Sequence, residues 1–274
     1  MEYIKLIVIG LVLGITTIIP GVSTGTMAVV FNVYERLVNI ITPNIKKILS
    51  AWKFWFPLAL GVVIGVIFFS KVISFLLADY PLPCYWFFIG IISGSVPLIY
   101  RKVRQSNSAL PSFPQIICAV LGFAVMVVMA LLKPAETAAV YTDLTLPIFM
   151  ILAAAGALAA VAMILPGISG SFLLLVIGLY RTIIQAVSDL NIPLLIPVVL
   201  GICAGLFIGA ALVRFLLAKA FRETYGAVLG LVAGSVLVLY PGGLGNGIGI
   251  VISIVSMLIG FAISYITGRE KSSR

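Results

Sequence analysis

The sequence contains no histidine, and only 9% of its 274 residues are Asp, Glu, Lys or Arg. Without histidine there is no Ser-His triad, no His-ligated haem and no His general base, and most zinc sites are excluded. The three cysteines, Cys84, Cys118 and Cys203, lie far apart in apolar runs. They read as buried thiols, neither metal ligands nor a disulfide framework. Asp79, Glu136, Asp143 and Asp189 are scattered at segment ends and form no carboxylate cluster. No metal, cofactor or catalytic residue is expected. The shortage of charge also excludes a soluble fold, which carries about 25% charged residues. Here 62% is hydrophobic, and the mean hydropathy is +1.28.

At about 20 residues per crossing, the chain holds roughly ten apolar segments. The first five fall near 3–19, 21–41, 55–78, 84–100 and 113–133. The second five fall near 147–165, 167–187, 193–218, 225–240 and 246–267. Helices are expected, because an open sheet cannot satisfy its backbone in lipid. The first segment runs on to Pro20 with no small-residue cleavage site, so it belongs to the membrane domain and is not a cleaved signal.

The two sets of five repeat. A shift of 146 places Pro20-Gly21 on Pro166-Gly167, Ser23 on Ser169 and Tyr34 on Tyr180. A shift of 140 aligns 57–100 with 197–240 without a gap, keeping Pro57/Pro197, Gly61/Gly201, Tyr85/Tyr225 and Gly90/Gly230 in register. Five segments per repeat is odd. If the first two form a re-entrant hairpin that crosses zero times, three crossings remain, still odd. The second repeat then inserts upside down. The expected fold is an all-α polytopic membrane protein of two inverted repeats, 1–134 and 135–274. Each repeat is a Pro-Gly-broken helical hairpin plus three transmembrane helices. Thirteen loop Lys and Arg fall on one side and two, Lys133 and Arg181, on the other. Both termini are therefore expected in the cytoplasm.

Two motifs interrupt the apolar runs: Ile19-Pro20-Gly21-Val22-Ser23-Thr24-Gly25-Thr26 and Leu165-Pro166-Gly167-Ile168-Ser169-Gly170-Ser171. Proline breaks a helix and glycine permits the reversal. The helix that restarts presents amides with no internal partner and about half a positive charge. Two such ends, with hydroxyls from Ser23, Thr24, Thr26, Ser169 and Ser171, suit a phosphate or carboxylate. A lone motif of this kind is more simply a kink packed by small residues. The matched pair favours a cavity.

Among intramembrane charges, Arg214 is either a phosphate fork or a snorkelling side chain, and Lys71 is read as snorkelling. Glu35 could bind a proton, pair with Arg36 in a coupling or gating role, or be a solvated charge at a helix end. Arg181 could meet an anion from outside or anchor at the interface. Gly10/Gly14, Gly61/Gly65, Gly90/Gly94 and Gly201/Gly205 have GxxxG spacing, expected to pack helices and able to join two copies of the chain.

The run Gly14-Ile15-Thr16-Thr17-Ile18-Ile19-Pro20-Gly21-Val22-Ser23-Thr24-Gly25-Thr26, continuing to Tyr34-Glu35-Arg36-Leu37, resembles the PopT-type undecaprenyl-phosphate translocases. So does Met163-Ile164-Leu165-Pro166-Gly167-Ile168-Ser169-Gly170-Ser171 with Gly178 and Tyr180. The resemblance covers nearly the whole chain. It departs at Thr17, where that family has Asp, and at Thr24, where it has Gly. A coupling role attributed to that Asp does not carry over. The resemblance implies a bacterial cytoplasmic-membrane flippase returning undecaprenyl phosphate from the outer to the cytoplasmic leaflet for reuse in cell-wall polymer synthesis. The substrate site is expected at Ser23, Thr24, Gly25, Thr26, Ser169, Gly170 and Ser171 of the two motifs, with Arg214 and Arg181 as its cationic candidates. The residues alone leave two other readings open: a secondary transporter of a small soluble anion, and a membrane lipid phosphatase, which would need a nucleophile with its base or a metal cluster.

Overall fold

A computed structural model describes residues 2–18, 22–105, 111–132 and 140–269. Pro20, Gly21, Lys133, Glu136 and the expected 134/135 boundary lie outside them. The regular elements among the described residues are all helices, with no strand. The first half holds α1 (Glu2–Ile18), α2 (Thr24–Val30), α3 (Tyr34–Ile40), α4 (Ile45–Ser50), α5 (Trp52–Asp79), α6 (Pro81–Gln105) and α7 (Phe113–Leu131). The second holds α8 (Leu146–Ile164), α9 (Gly170–Val176), α10 (Tyr180–Ser188), α11 (Ile192–Lys219), α12 (Phe221–Leu239) and α13 (Ile248–Arg269). Seven of the helices, α5–α8 and α11–α13, are long and apolar enough to cross a membrane. The pair α9–α10, bent by 116°, makes up to eight. This is a multi-pass helical membrane protein.

The expected segments 21–41 and 167–187 each contain a second break. Asn32 (φ 55°) and Gly178 (φ 78°) adopt the left-handed conformation at positions the 146-residue shift makes equivalent. Both breaks close in the same way: Val33 N donates to Ala28 O, and Leu179 N to Leu174 O, each at 2.9–3.0 Å. This is a Schellman ending, which satisfies helix-end carbonyls where no water is at hand. Only a residue that tolerates positive φ can close it, and Asn and Gly do so at least cost.

Glycine faces bind the long helices in pairs. A Cβ built on Gly10 would lie 2.1 Å from Leu58 O, and one on Gly14 2.3 Å from Val62 O. Likewise Gly201 faces Ala153 O at 2.0 Å and Gly205 faces Ala157 O at 2.3 Å. Contact positions rise together along both helices, so α1 runs parallel to α5 and α8 parallel to α11. The chain between α1 and α5 therefore returns to the end where α1 began. Two further parallel pairs join the halves. Gly90 and Gly94 of α6 meet Met257 and Phe261 of α13, and Gly226 and Gly230 of α12 meet Gln115 and Ala119 of α7. The GxxxG faces expected to be able to join two copies are thus used inside one chain, because its own backbones fill the space that glycine leaves. The main core draws buried side chains from α2, α5, α6 and α12 into one cluster, with Met27, Phe54, Ile92, Tyr225 and Val232 at most 1% exposed.

Replacing Gly61 by Ala sets a methyl 2.1 Å from the backbone oxygen of Ile7, which cannot move without parting two helices. The expected loss is about 1–3 kcal/mol, seen as a lowered unfolding temperature in detergent. Gly249→Ala, with open space around its Cβ, should leave that temperature unchanged.

Candidate functional site

The first motif restarts the helix as α2 with Ser23 as its N-cap, in extended conformation (φ −86°, ψ 116°), its Oγ accepting from Thr26 N. The second does the same at α9: Ser169 (φ −98°, ψ 121°) accepts from Phe172 N. A capping hydroxyl supplies a partner to an amide that the first turn cannot satisfy.

The two motifs meet. Gly167 N donates to Thr26 Oγ1 at 2.7 Å and to Ser23 Oγ at 3.2 Å. Ser23 and Thr26 are 3% and 1% exposed, so the donors and acceptors of one broken helix are completed by the other. Both hydroxyls are acceptors here and keep their own protons to donate. Gly25 lies against the backbone of Met163, Leu165 and Pro166. Gly167 (φ +95°) rests on the Leu231 backbone, where a Cβ would come within 2.7 Å.

Beside this junction lies a cavity of about 140 Å³ lined by Thr17, Val22, Ser23, Thr24, Met163, Ile168, Ser169, Gly170 and Ser171. Ser169 Oγ and Ser171 Oγ are 3.0 Å apart and share a hydrogen bond. Thr17, Met163 and Ser171 are exposed and mark its open side. Of the expected site residues, Ser23, Thr24, Ser169, Gly170 and Ser171 line this one cavity. Gly25 and Thr26 support it from behind.

The charged candidates lie elsewhere. Arg214 Nη1 donates to the carbonyls of Val38 and Ile41, both at 2.6 Å. These oxygens end α3, where no further turn supplies amides, and a guanidinium is the side chain able to serve both. Arg181 is exposed on the first turn of α10. Arg36 lies 3.7 Å from Glu2 and over the Phe54 ring at 4.2 Å. Exposed on both sides, that ion pair contributes little. Glu35 receives a hydrogen bond from the hydroxyl of Tyr225, which is 1% exposed and whose ring lies tilted against Phe221, centroids 4.6 Å apart. Tyr225 was legible only as a repeat match to Tyr85, and Thr17 only as a departure from a motif. No group of three or more potential metal ligands occurs among the described residues.

A helix break whose free amide is taken up by the hydroxyls of a second break, beside a hydroxyl-lined cavity in a multi-pass helical bundle, is an arrangement that fits a membrane carrier. The chain belongs to the VCA0040-like, undecaprenyl phosphate translocase-like family, which matches residues 13–245. That is a transporter family and not an enzyme family. A polyprenyl-phosphate transporter of Staphylococcus aureus is 30% identical over 272 residues, 95% of this chain and 94% of that one. A polyprenyl-phosphate transporter of Vibrio cholerae is 29% identical over 255 residues, 88% of this chain and 79% of that one. No solved structure matches the chain significantly.

The shared amide gives a stability test. Thr26→Val alone leaves Gly167 N–H its longer bond to Ser23 and should cost about 1 kcal/mol. Ser23→Ala with Thr26→Val orphans a buried amide and should cost about 1–3 kcal/mol more. Thermal unfolding of the single and double variants measures both.

Proposed function

We propose that this chain carries undecaprenyl phosphate from the outer to the cytoplasmic leaflet of a bacterial cytoplasmic membrane, returning the lipid for cell-wall polymer synthesis. The observation that carries the reading is the single cavity shared by Ser23 and Ser169, one from each motif. An unpaired anion is very costly in hydrocarbon, so crossing needs donors at depth. At about 140 Å³ the cavity is smaller than the ~300–1,000 Å³ of a pocket enclosing a whole ligand. It suits a headgroup whose tail stays in lipid, through the side marked by Thr17, Met163 and Ser171. The substrate named for both relatives agrees with this chemistry.

Two inverted repeats, 1–134 and 135–274, fit the pairing of helices. By the repeat, α6 corresponds to α12 and α7 to α13. Because α6 is parallel to α13 and α7 to α12, corresponding helices in the two halves run opposite ways if each pair is joined as an antiparallel hairpin. The return of the chain between α1 and α5 makes each hairpin cross an even number of times, leaving an odd three. Together with the loop charges, this supports a cytoplasmic position for both termini and the 42–54 loop.

Ser169→Ala or Ser171→Ala should weaken undecaprenyl-phosphate binding by about 0.5–1.5 kcal/mol for a neutral hydrogen bond, and up to about 3 for one to the charged phosphate. Expression should be unchanged, and incubation with the lipid should release no inorganic phosphate. Wild-type affinity in both variants would reject the site. In intact cells a membrane-impermeant thiol reagent should reach Asn246→Cys and miss Ser50→Cys, and the opposite pattern would reverse the orientation.

A further inference from the structure

The repeats are alike in sequence, but their bent arms are held differently. In the first half α2 is buried from Gly25 to Val30. In the second, Gly170 is the only buried residue of α9. The first arm is tied across to the second half: α3 packs on α11, where Arg214 holds the carbonyls of Val38 and Ile41, and Tyr225 of α12 holds Glu35. The second arm, α10, packs on α9 and α11 of its own half. Repeat symmetry places Ser74 at the position of Arg214 and Arg181 at that of Glu35. A serine is too short for a two-carbonyl clamp, and an arginine cannot accept a tyrosine proton.

We propose that Arg214 and Tyr225 form a latch that closes α3 over one side of the headgroup cavity, and that transport requires the latch to open while α10 closes on the other side. Arg214 is a positioning residue, acting through α3 and not on the phosphate. On this proposal the buried α2 and tied α3 mark the closed side, and the less buried α9 marks the open one. Resting on the orientation proposed above, the closed side is cytoplasmic and the open side external, the state that loads lipid from the outer leaflet.

Spin labels report the two arms in the full chain in nanodiscs, with Cys84, Cys118 and Cys203 replaced by Ala. One pair is Asn39→Cys with Phe215→Cys, across α3 and α11. The other is the symmetry-related pair, Gln185→Cys with Phe75→Cys, across α10 and α5. All four positions are exposed. In the wild-type background the 39/215 distance should be single and short. Tyr225→Phe should raise the population with a longer 39/215 distance about tenfold, the weight of one charge-assisted hydrogen bond, and Arg214→Gln, which removes two such bonds, should raise it by more. The 185/75 distance should shorten in step. Arg214→Lys, which keeps the positive charge that Gln loses, should restore most of the closed population. An unchanged 39/215 distribution in both Arg214→Gln and Tyr225→Phe overturns the latch. Undecaprenyl phosphate in nanodiscs is the separate arm. If the variants shift the distances and the lipid does not, the latch stands and the transport reading fails. If the lipid shifts them and the variants do not, the latch fails and the transport reading stands.

Discussion

In hydrocarbon no water completes a broken helix, so each interruption must find its partners within the protein. The structure follows from that constraint. The interruption at 165–169 exposes the amide of Gly167, and the first motif supplies Thr26 and Ser23 as its acceptors. The restarted helices need caps, and Ser23 and Ser169 provide them. The second breaks need closed carbonyls, and Asn32 and Gly178 allow the turn that closes them. The end of α3 needs a donor, and Arg214 reaches across from the other half to give it. The polar junction at the centre is thus a consequence of breaking two helices at one depth, and the hydroxyls left over line the cavity.

The same constraint explains the glycines. Lipid offers no hydrophobic drive for helices to associate, so close backbone approach and dispersion must hold them. Gly10, Gly14, Gly61 and Gly65 let α1 and α5 touch along their backbones, and Gly201 and Gly205 do so for α8 and α11. These pairs form closely packed two-helix units, and each unit carries one broken hairpin at its end. The cavity therefore lies between units, where relative movement changes its shape without disturbing the packing inside either one.

Most of the long helices were legible in sequence, since apolar runs of the right length leave little choice in lipid. The segment 193–218 becomes α11 at Ile192–Lys219 almost without change. The matched Pro-Gly motifs located the cavity because a helix break is a local event with a local signal. The second breaks were missed: Asn32 and Gly178 sit in continuous apolar runs, and the signal lay only in their equivalence under the repeat. The charged residues were the least legible. Arg214 was read as a phosphate fork or a snorkelling cation, yet it serves two carbonyls far along the chain. A guanidinium binds any array of acceptors, and which array it meets is decided by tertiary packing. Glu35 had a neighbour in sequence, Arg36, but takes its hydrogen bond from Tyr225.

Two arms of similar sequence held in different ways imply a bound on the energies. A carrier that visits two arrangements needs them within a few kcal/mol of each other. If every contact were symmetric the two would be equal, and nothing would set a resting state. Arg214 and Tyr225 break that equality on one side only. A hydrogen bond involving a charged group contributes about 1.5–3 kcal/mol net, and the latch holds three, offset by what the same groups gain from other partners when it opens, so it fixes a resting conformation without freezing it. A bound headgroup must then favour the other arrangement by a comparable amount, since a ligand shifts an equilibrium only through its differential affinity. A hydroxyl-lined cavity with no cation of its own among the lining residues is suited to this. Hydroxyl donors alone replace part of a phosphate's hydration without adding a full counter-charge that would trap it at depth.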